Sequence, residues 1–149
     1  MHITLYTDYS LRVMIYLALA PGDQRATIRD MAAAYDISRN HLTKVVHQLQ
    51  LRGYLRTVRG PGGGVVLARA PRDINIGQVV RDMEPDLNLV GCFKDGDLCV
   101  ITPHCRLKSM LGEALQAFMD TLDRYSLADI VERDSDGLIR VLGLETAMP

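Results

Sequence analysis

Ser38-Arg39-Asn40-His41-Leu42-Thr43-Lys44-Val45-Val46-His47-Gln48-Leu49-Gln50-Leu51-Arg52-Gly53 carries two interleaved helical patterns. Leu42, Val45, Val46 and Leu49 repeat at the 3–4 spacing of a buried helix face, with Ser38 at the N-cap and Gly53 at the C′ stop. Asn40, Thr43, Lys44 and His47 have the same spacing displaced by two residues, about 200° round the helix, so they share the solvent face. Upstream, Thr27 and Asp30 make a capping-box-like start to a shorter helix reaching about Tyr35, and Asp36-Ile37 breaks the two apart. Two short helices joined by a tight turn, the second amphipathic and basic, are a helix-turn-helix pattern.

The segment downstream sharpens this. Tyr54-Leu55-Arg56-Thr57-Val58-Arg59 alternates as a strand, Gly60-Pro61-Gly62-Gly63-Gly64 turns, and Val65-Val66-Leu67 is a second strand. A hairpin directly after such a helix is a wing, with Arg56, Arg59, Arg69 and Arg72 on or beside it to meet backbone or minor groove. A glycine-rich loop can instead cradle phosphates. This one lacks a Gly-Lys-Ser/Thr ending and leads into a strand, not a helix N-terminus.

Charge agrees with a polyanion partner for the first half only. Net charge is −1 over 149 residues, but residues 1–75 hold ten Lys/Arg against five Asp/Glu, net +5. Residues 76–149 hold seven against thirteen, net −6, while Arg39 to Arg72 includes seven basic residues and no acid. Side chains of Asn40, Thr43, Lys44 and His47 can read base edges, and Arg39 and Lys44 can also reach phosphate. Residues 1–84 thus form the expected DNA-binding unit.

The first helix is expected from a cap at Thr7 or Asp8, through Leu11, Met14, Ile15 and Ala18, to Pro21-Gly22. The apolar run 13–20, with Ala18-Leu19-Ala20, imitates a secretory leader. Asp8 and Arg12 sit where such a leader would not have them, so a helix of the mature domain in a cytoplasmic protein is the expectation. No run reaches the roughly 20 apolar residues that span a bilayer, so no membrane partner is expected.

Asn75 caps a short helix ending near Met83. Residues 85–102 then read as an irregular loop. Thr102-Pro103 opens a helix of about 23 residues through Leu107, Met110, Leu111, Ala114, Leu115, Phe118, Leu122 and Tyr125. It is longer than a small winged core needs, and reads as a homodimerisation helix. A dimer suits a palindromic double-stranded operator. Residues 126–133 form one more short helix, completing a 103–133 dimerisation unit, and 134–149 a variable tail. The fold expected is mainly α with a small β-hairpin: a winged helix-turn-helix plus a long dimerisation helix.

Cys92, Cys99 and Cys105 fall within fourteen residues. An odd number in this setting suggests reducing conditions and metal or redox chemistry. A helix N-terminus favours the thiolate of Cys105. Three such groups can bind zinc, hold an iron–sulfur cluster, or form a switchable disulfide. Their spacings are too open for a zinc knuckle, and His104, adjacent to Cys105, points about 100° away on a helix. For the same reason it is no partner base for a nucleophilic Cys105, and no enzyme is expected.

The chain resembles the Rrf-type winged-helix transcriptional regulators over about residues 1–133, and among them the nitric-oxide-sensing iron–sulfur repressors. The resemblance rests on Tyr6-Thr7-Asp8-Tyr9-Ser10-Leu11-Arg12, Ser38-Arg39-Asn40-His41-Leu42, Val58-Arg59-Gly60-Pro61-Gly62-Gly63-Gly64, Cys99-Val100-Ile101-Thr102-Pro103-His104-Cys105-Arg106-Leu107-Lys108, and Tyr125-Ser126-Leu127-Ala128-Asp129. It implies a homodimeric repressor that binds DNA through Ser38, Arg39, Asn40, His41, Thr43, Lys44, His47, Arg59, Gly62 and Gly63. It also implies a [4Fe-4S] cluster on Cys92, Cys99 and Cys105, with Asp8 from the partner subunit as fourth ligand and nitric oxide as signal. Cysteine ligation alone is equally compatible with [2Fe-2S]. A regulator of cluster status or thiol redox state is the alternative. In the related regulator of iron–sulfur biogenesis a histidine ligand lies three positions after the last cysteine, where this chain has Lys108. The gap between Cys92 and Cys99 is one or two residues longer than the resemblance leads one to expect.

Overall fold

Thr4, not Thr7 or Asp8, starts the first helix of the computed structural model, which describes residues 2–21, 25–96 and 98–145. Helix α1 spans Leu5–Leu19, and the Thr4 hydroxyl accepts a hydrogen bond from the Thr7 amide. The start is fixed from a distance: Glu84 Oε1 accepts from both the Thr4 amide (2.8 Å) and its hydroxyl (3.1 Å). Asp8 is therefore not the cap but an acid in the first turn, where a negative charge favours the helix dipole. Gly22, part of the expected helix stop, lies outside the described residues.

Helix α1 buries more than the single stripe read from its spacing. Thr7, Ser10, Val13, Met14, Tyr16, Leu17 and Leu19 are all buried, because the helix is central and packs on four others and the hairpin. Helix α2 (Ile28–Tyr35) has the full capping box of Thr27 and Asp30. Asp36 turns the chain with φ +53°, and α3 (Arg39–Leu51) follows, Ser38 at its N-cap. Leu42, Val45, Val46 and Leu49 are buried against α1 and α2 as their spacing requires. Gly53, with φ +76°, ends the helix in the left-handed conformation that favours glycine.

Strands β1 (Leu55–Val58) and β2 (Gly64–Leu67) pair antiparallel, Leu55 opposite Leu67 and Val58 opposite Gly64. Ala26 bridges to Val65 and docks the hairpin on the segment before α2. Helix α4 (Ile76–Met83) is capped by Asn75 as expected. Thr102-Pro103 opens only a three-residue 3-10 turn, and the chain breaks at Cys105 (ψ 103°) before α5 (Arg106–Leu122). The long helix thus has 17 residues, about 25 Å at 1.5 Å each, rather than 23.

Helix α6 (Leu127–Glu132) starts from a capping box of Ser126 and Asp129 and buries Leu127 fully against α1. Residues 74–76 meet 125–127 in a short bridge: Ile76 donates to the Tyr125 carbonyl and Leu127 to that of Ile74, each at 2.9 Å. The segment after 134 contains a further helix, α7 (Ser135–Val141), and Leu144 joins the core. Residues 146–149 lie outside the described residues. Among the described residues the fold is mainly α with one two-stranded hairpin. No described helix is long and apolar enough to cross a membrane.

Candidate nucleic-acid interface and cysteine loop

With Leu42, Val45, Val46 and Leu49 pinned in the core, the opposite face of α3 is turned to solvent, while Gln50 on its flank donates to the Thr57 hydroxyl of the hairpin. Ser38, Arg39, Asn40, His41, Thr43, Lys44 and His47 are all exposed. Ser38 makes no side-chain capping bond, while the Thr43 hydroxyl donates to the Arg39 carbonyl at 2.8 Å and keeps its acceptor lone pairs outward. An open groove of about 470 Å3 runs between the start of α2, this face and the hairpin.

The wing tip is built by glycines. Gly60 and Gly62 have φ +99° and +69°, and Gly63 donates to the Gly60 carbonyl at 2.8 Å. A Cβ on Gly63 would lie 2.5 Å from the Val58 carbonyl oxygen, so the turn cannot close with another residue there. A Cβ on Gly62 would meet nothing within 4 Å, and that backbone is open to an incoming ligand. Arg56 and Arg59 are exposed beside it, as is Arg72 in the turn Pro71–Asp73. Arg69 is exposed too, but its guanidinium turns back onto the carbonyls of Arg52 and Gly53.

Helix α1 touches α3 directly around Asp8. The Tyr6 hydroxyl donates to the Lys44 carbonyl at 3.1 Å, and the Tyr9 and His41 rings lie 6.3 Å apart. Asp8 itself pairs with Arg12 at 2.8 Å. Arg12 lies over the rings of Tyr9 and Tyr35, and the Tyr35 hydroxyl, its pKa pushed up to about 12 by burial, donates to the Arg12 carbonyl. Periodicity gave no sign of Tyr6, Tyr9, Arg12 or Glu84, because their partners lie 23 to 80 residues away or across helices. The available local signals were the Tyr6-Tyr9 pair at i, i+3, the Asp8-Arg12 pair at i, i+4, and the Tyr6–Arg12 stretch that carries the family resemblance.

The cysteines lie apart from this surface in sequence and local structure. Cys92 sits in the 3-10 turn Gly91–Phe93 and is half-buried, Cys99 is exposed, and half-buried Cys105 is the N-cap residue of α5. Among the described residues no three His, Cys, Asp or Glu side chains stand close enough together to hold a metal ion. The chemistry of the donors nevertheless fits an iron–sulfur cluster: three soft thiols, none locked in the hydrophobic core, at the surface of one loop. Around them Leu98 and Val100 are 94% and 92% exposed, and Leu107 and Met110 on α5 are 59% and 57% exposed. Of the 17 residues of α5 only Met119 is buried.

A helix-turn-helix whose second helix presents a polar face, with a basic hairpin beside it, defines a winged-helix DNA-binding regulator. Comparison with known proteins carries this to a family. The model of the Rrf2 family, described as "Iron-dependent Transcriptional regulator", matches residues 3–133. The chain is 50% identical over 137 residues to the HTH-type transcriptional regulator NsrR of Bacillus subtilis, covering 91% of this chain and 94% of that protein. A transcriptional regulator from Listeria innocua superposes with TM-score 0.73 at 26% identity, over 89% of this chain and 88% of that one. IscR of T. potens shares the fold with TM-score 0.73 at 24% identity, over 100% and 94%. The chain belongs to the Rrf2 family. It is a transcriptional regulator, not an enzyme.

Proposed function

We propose that the protein is a homodimeric transcriptional repressor that holds an iron–sulfur cluster, [4Fe-4S] rather than [2Fe-2S], and releases its operator in response to nitric oxide. The observation that carries the DNA-binding part is the exposed face of α3 beside the basic wing. Asn40, Thr43, Lys44 and His47 meet base edges; Ser38, Arg39, His41, Arg59 and the open backbone of Gly62 meet phosphate and sugar, beside Gly63, which holds the turn closed. The apolar face of α5 packs against its copy, so that two recognition helices address half-sites about 34 Å apart on a palindrome. The chain then divides into a DNA-reading unit (1–84), a cluster loop (85–102), a dimerisation unit (103–133) and a tail (134–149).

Cys92, Cys99 and Cys105 hold the cluster, with the partner subunit's Asp8 as fourth ligand. When bound, such a cluster would supply iron accessible to nitric oxide. Asp8 sits on the helix whose Tyr6 and Tyr9 touch α3, so a change in what Asp8 holds is passed to the recognition helix. Arg12, at 2.8 Å, is its other partner. The exposure of Cys99 favours one second reading, in which thiol oxidation is the input.

The test is iron, acid-labile sulfide and zinc per chain after anaerobic purification, followed by nitric-oxide titration of the complex with operator DNA. About four iron and four sulfide, with DNA released on titration, is the expected result. About two of each selects the other cluster, and zinc or no metal after reconstitution overturns the cluster reading.

A further inference from the structure

We infer that Arg69 is a positioning residue that fixes the angle of the wing to the recognition helix, and that it does not contact DNA. This rests on the DNA-binding reading above. At the end of α3 the carbonyls of Gln48, Leu49 and Gln50 accept from the amides of Arg52, Tyr54 and Gly53, and it is the carbonyls of Arg52 and Gly53, just past the helix, that need donors from elsewhere. Arg69, just past β2, supplies them: Nε donates to the Gly53 carbonyl at 3.1 Å and Nη2 to that of Arg52 at 3.2 Å. Its guanidinium lies 4.7 Å from the centre of the Tyr54 ring. Two carbonyls and a ring face fix the plane of a forked cation, which a lysine ammonium cannot reproduce.

The same point is anchored from below. Tyr54, only 1% exposed, donates its hydroxyl to Asp82 Oδ2 on α4 at 2.5 Å, and Gln78 donates to the other carboxylate oxygen at 2.9 Å. Burial and the Asp82 hydrogen bond push the Tyr54 pKa far up, so the phenol remains a donor. Ala68 donates to the Tyr54 carbonyl at 2.8 Å, one step beyond the last β1–β2 pair. Recognition helix, wing root and α4 are thus tied at one place. Gly53 is part of it: a Cβ there would approach Arg69 Nη2 to 3.3 Å.

The lever is long. From the root at Leu55 to the tip is about five residues, or about 17 Å of extended chain, so a tilt of about 10° moves the tip by about 3 Å. That is a full hydrogen-bond length, enough to break the wing tip's directional hydrogen bonds to the DNA backbone. It is well under the Debye length of about 8–10 Å, so the charge of Arg59 stays beside the phosphates and the salt slope is kept.

Binding is measured by fluorescence anisotropy, between about 50 and 200 mM salt, on a duplex selected by the wild-type protein from a randomised pool. Arg69→Ala and Arg69→Lys both bind about tenfold more weakly, with the slope of log affinity against log salt unchanged. Arg59→Ala, the phosphate-contact control, flattens that slope by about 0.9. Recovery of affinity in Arg69→Lys, or a slope flattened by about 0.9 in Arg69→Ala, overturns the proposal by making Arg69 a phosphate contact. Wild-type affinity in both variants overturns it too, including the case where only their thermal midpoint falls. A wild-type protein that selects no duplex removes the DNA-binding reading itself.

Discussion

Replacing Gly77 by alanine sets two effects of opposite sign against each other. Alanine is favoured over glycine within a helix by up to about 1 kcal/mol, and by less at the second position of α4. The space says otherwise. A Cβ on Gly77 would lie 1.9 Å from Asp123 Oδ1, 2.9 Å from its Cγ and 3.0 Å from its backbone nitrogen. The carboxylate is held by Arg81 through two 2.6 Å hydrogen bonds, and the Asp123 carbonyl accepts from Asn75 at 2.7 Å. The clash is therefore relieved only by breaking that ion pair or by lifting the end of α5 from α4. Overpacking of this kind costs about 1–3 kcal/mol, which outweighs the propensity gain and leaves a net loss of about 1–2. For a chain of 149 residues that is a fall in Tm of about 3–7 °C, measured calorimetrically at fixed protein concentration. Adding Asp123→Ala opens the space, so Gly77→Ala/Asp123→Ala loses less than the sum of the single variants. A rise in Tm for Gly77→Ala, or strict additivity, refutes the packing argument.

Three further outcomes are expected. Asn40→Ala relaxes the sequence preference of DNA binding at one or two operator positions by about 1–3 kcal/mol of discrimination, read by competition among operator variants; an unchanged preference removes Asn40 from the reading face. Leu107→Glu/Met110→Glu leaves the circular dichroism of the monomer unchanged, since both side chains are more than half exposed, but shifts the sedimentation coefficient from dimer to monomer; a persistent dimer places the interface elsewhere. Asp8→Ala changes the visible spectrum of the reconstituted protein and weakens the dependence of DNA binding on the cluster, while lowering thermal stability little because the Asp8–Arg12 pair is exposed; an unchanged spectrum and unchanged dependence dismiss Asp8 as a ligand.

Where local chemistry decides structure, the sequence was readable. The capping box at Thr27, the Asn75 cap, the α3 stripe, the short helix after residue 126 and the glycine turn of the wing all fold as their spacing requires. Where a distant partner decides, it was not. The start of α1 depends on Glu84, 80 residues away, which makes Thr4 a better cap than the locally plausible Thr7 or Asp8. Thr102-Pro103 is a sound start signal for a helical turn, but it starts the short one, and the break at Cys105 has no local marker. Arg69 reads as one more basic residue of the wing until the free carbonyls of Arg52 and Gly53 are seen beside it. Leu144 reads as part of a tail and lies in the core. The outward residues of α3 were legible for a simple reason: a helix with one buried face leaves no choice for the other.

The bridge between residues 74–76 and 125–127 holds the two ends of a long excursion together, with Glu84 tied to Thr4 inside it. In chain-statistical terms the closure is already fixed at the base, and the entropy of a closed loop grows only with the logarithm of its length. Adding two residues to the 84–105 segment costs on the order of 0.1 kcal/mol. Extra spacing between Cys92 and Cys99 therefore leaves the stability of the DNA-reading body almost untouched. The spacing of these thiols is thus a dimension the fold leaves free, while the helices that face DNA keep their places.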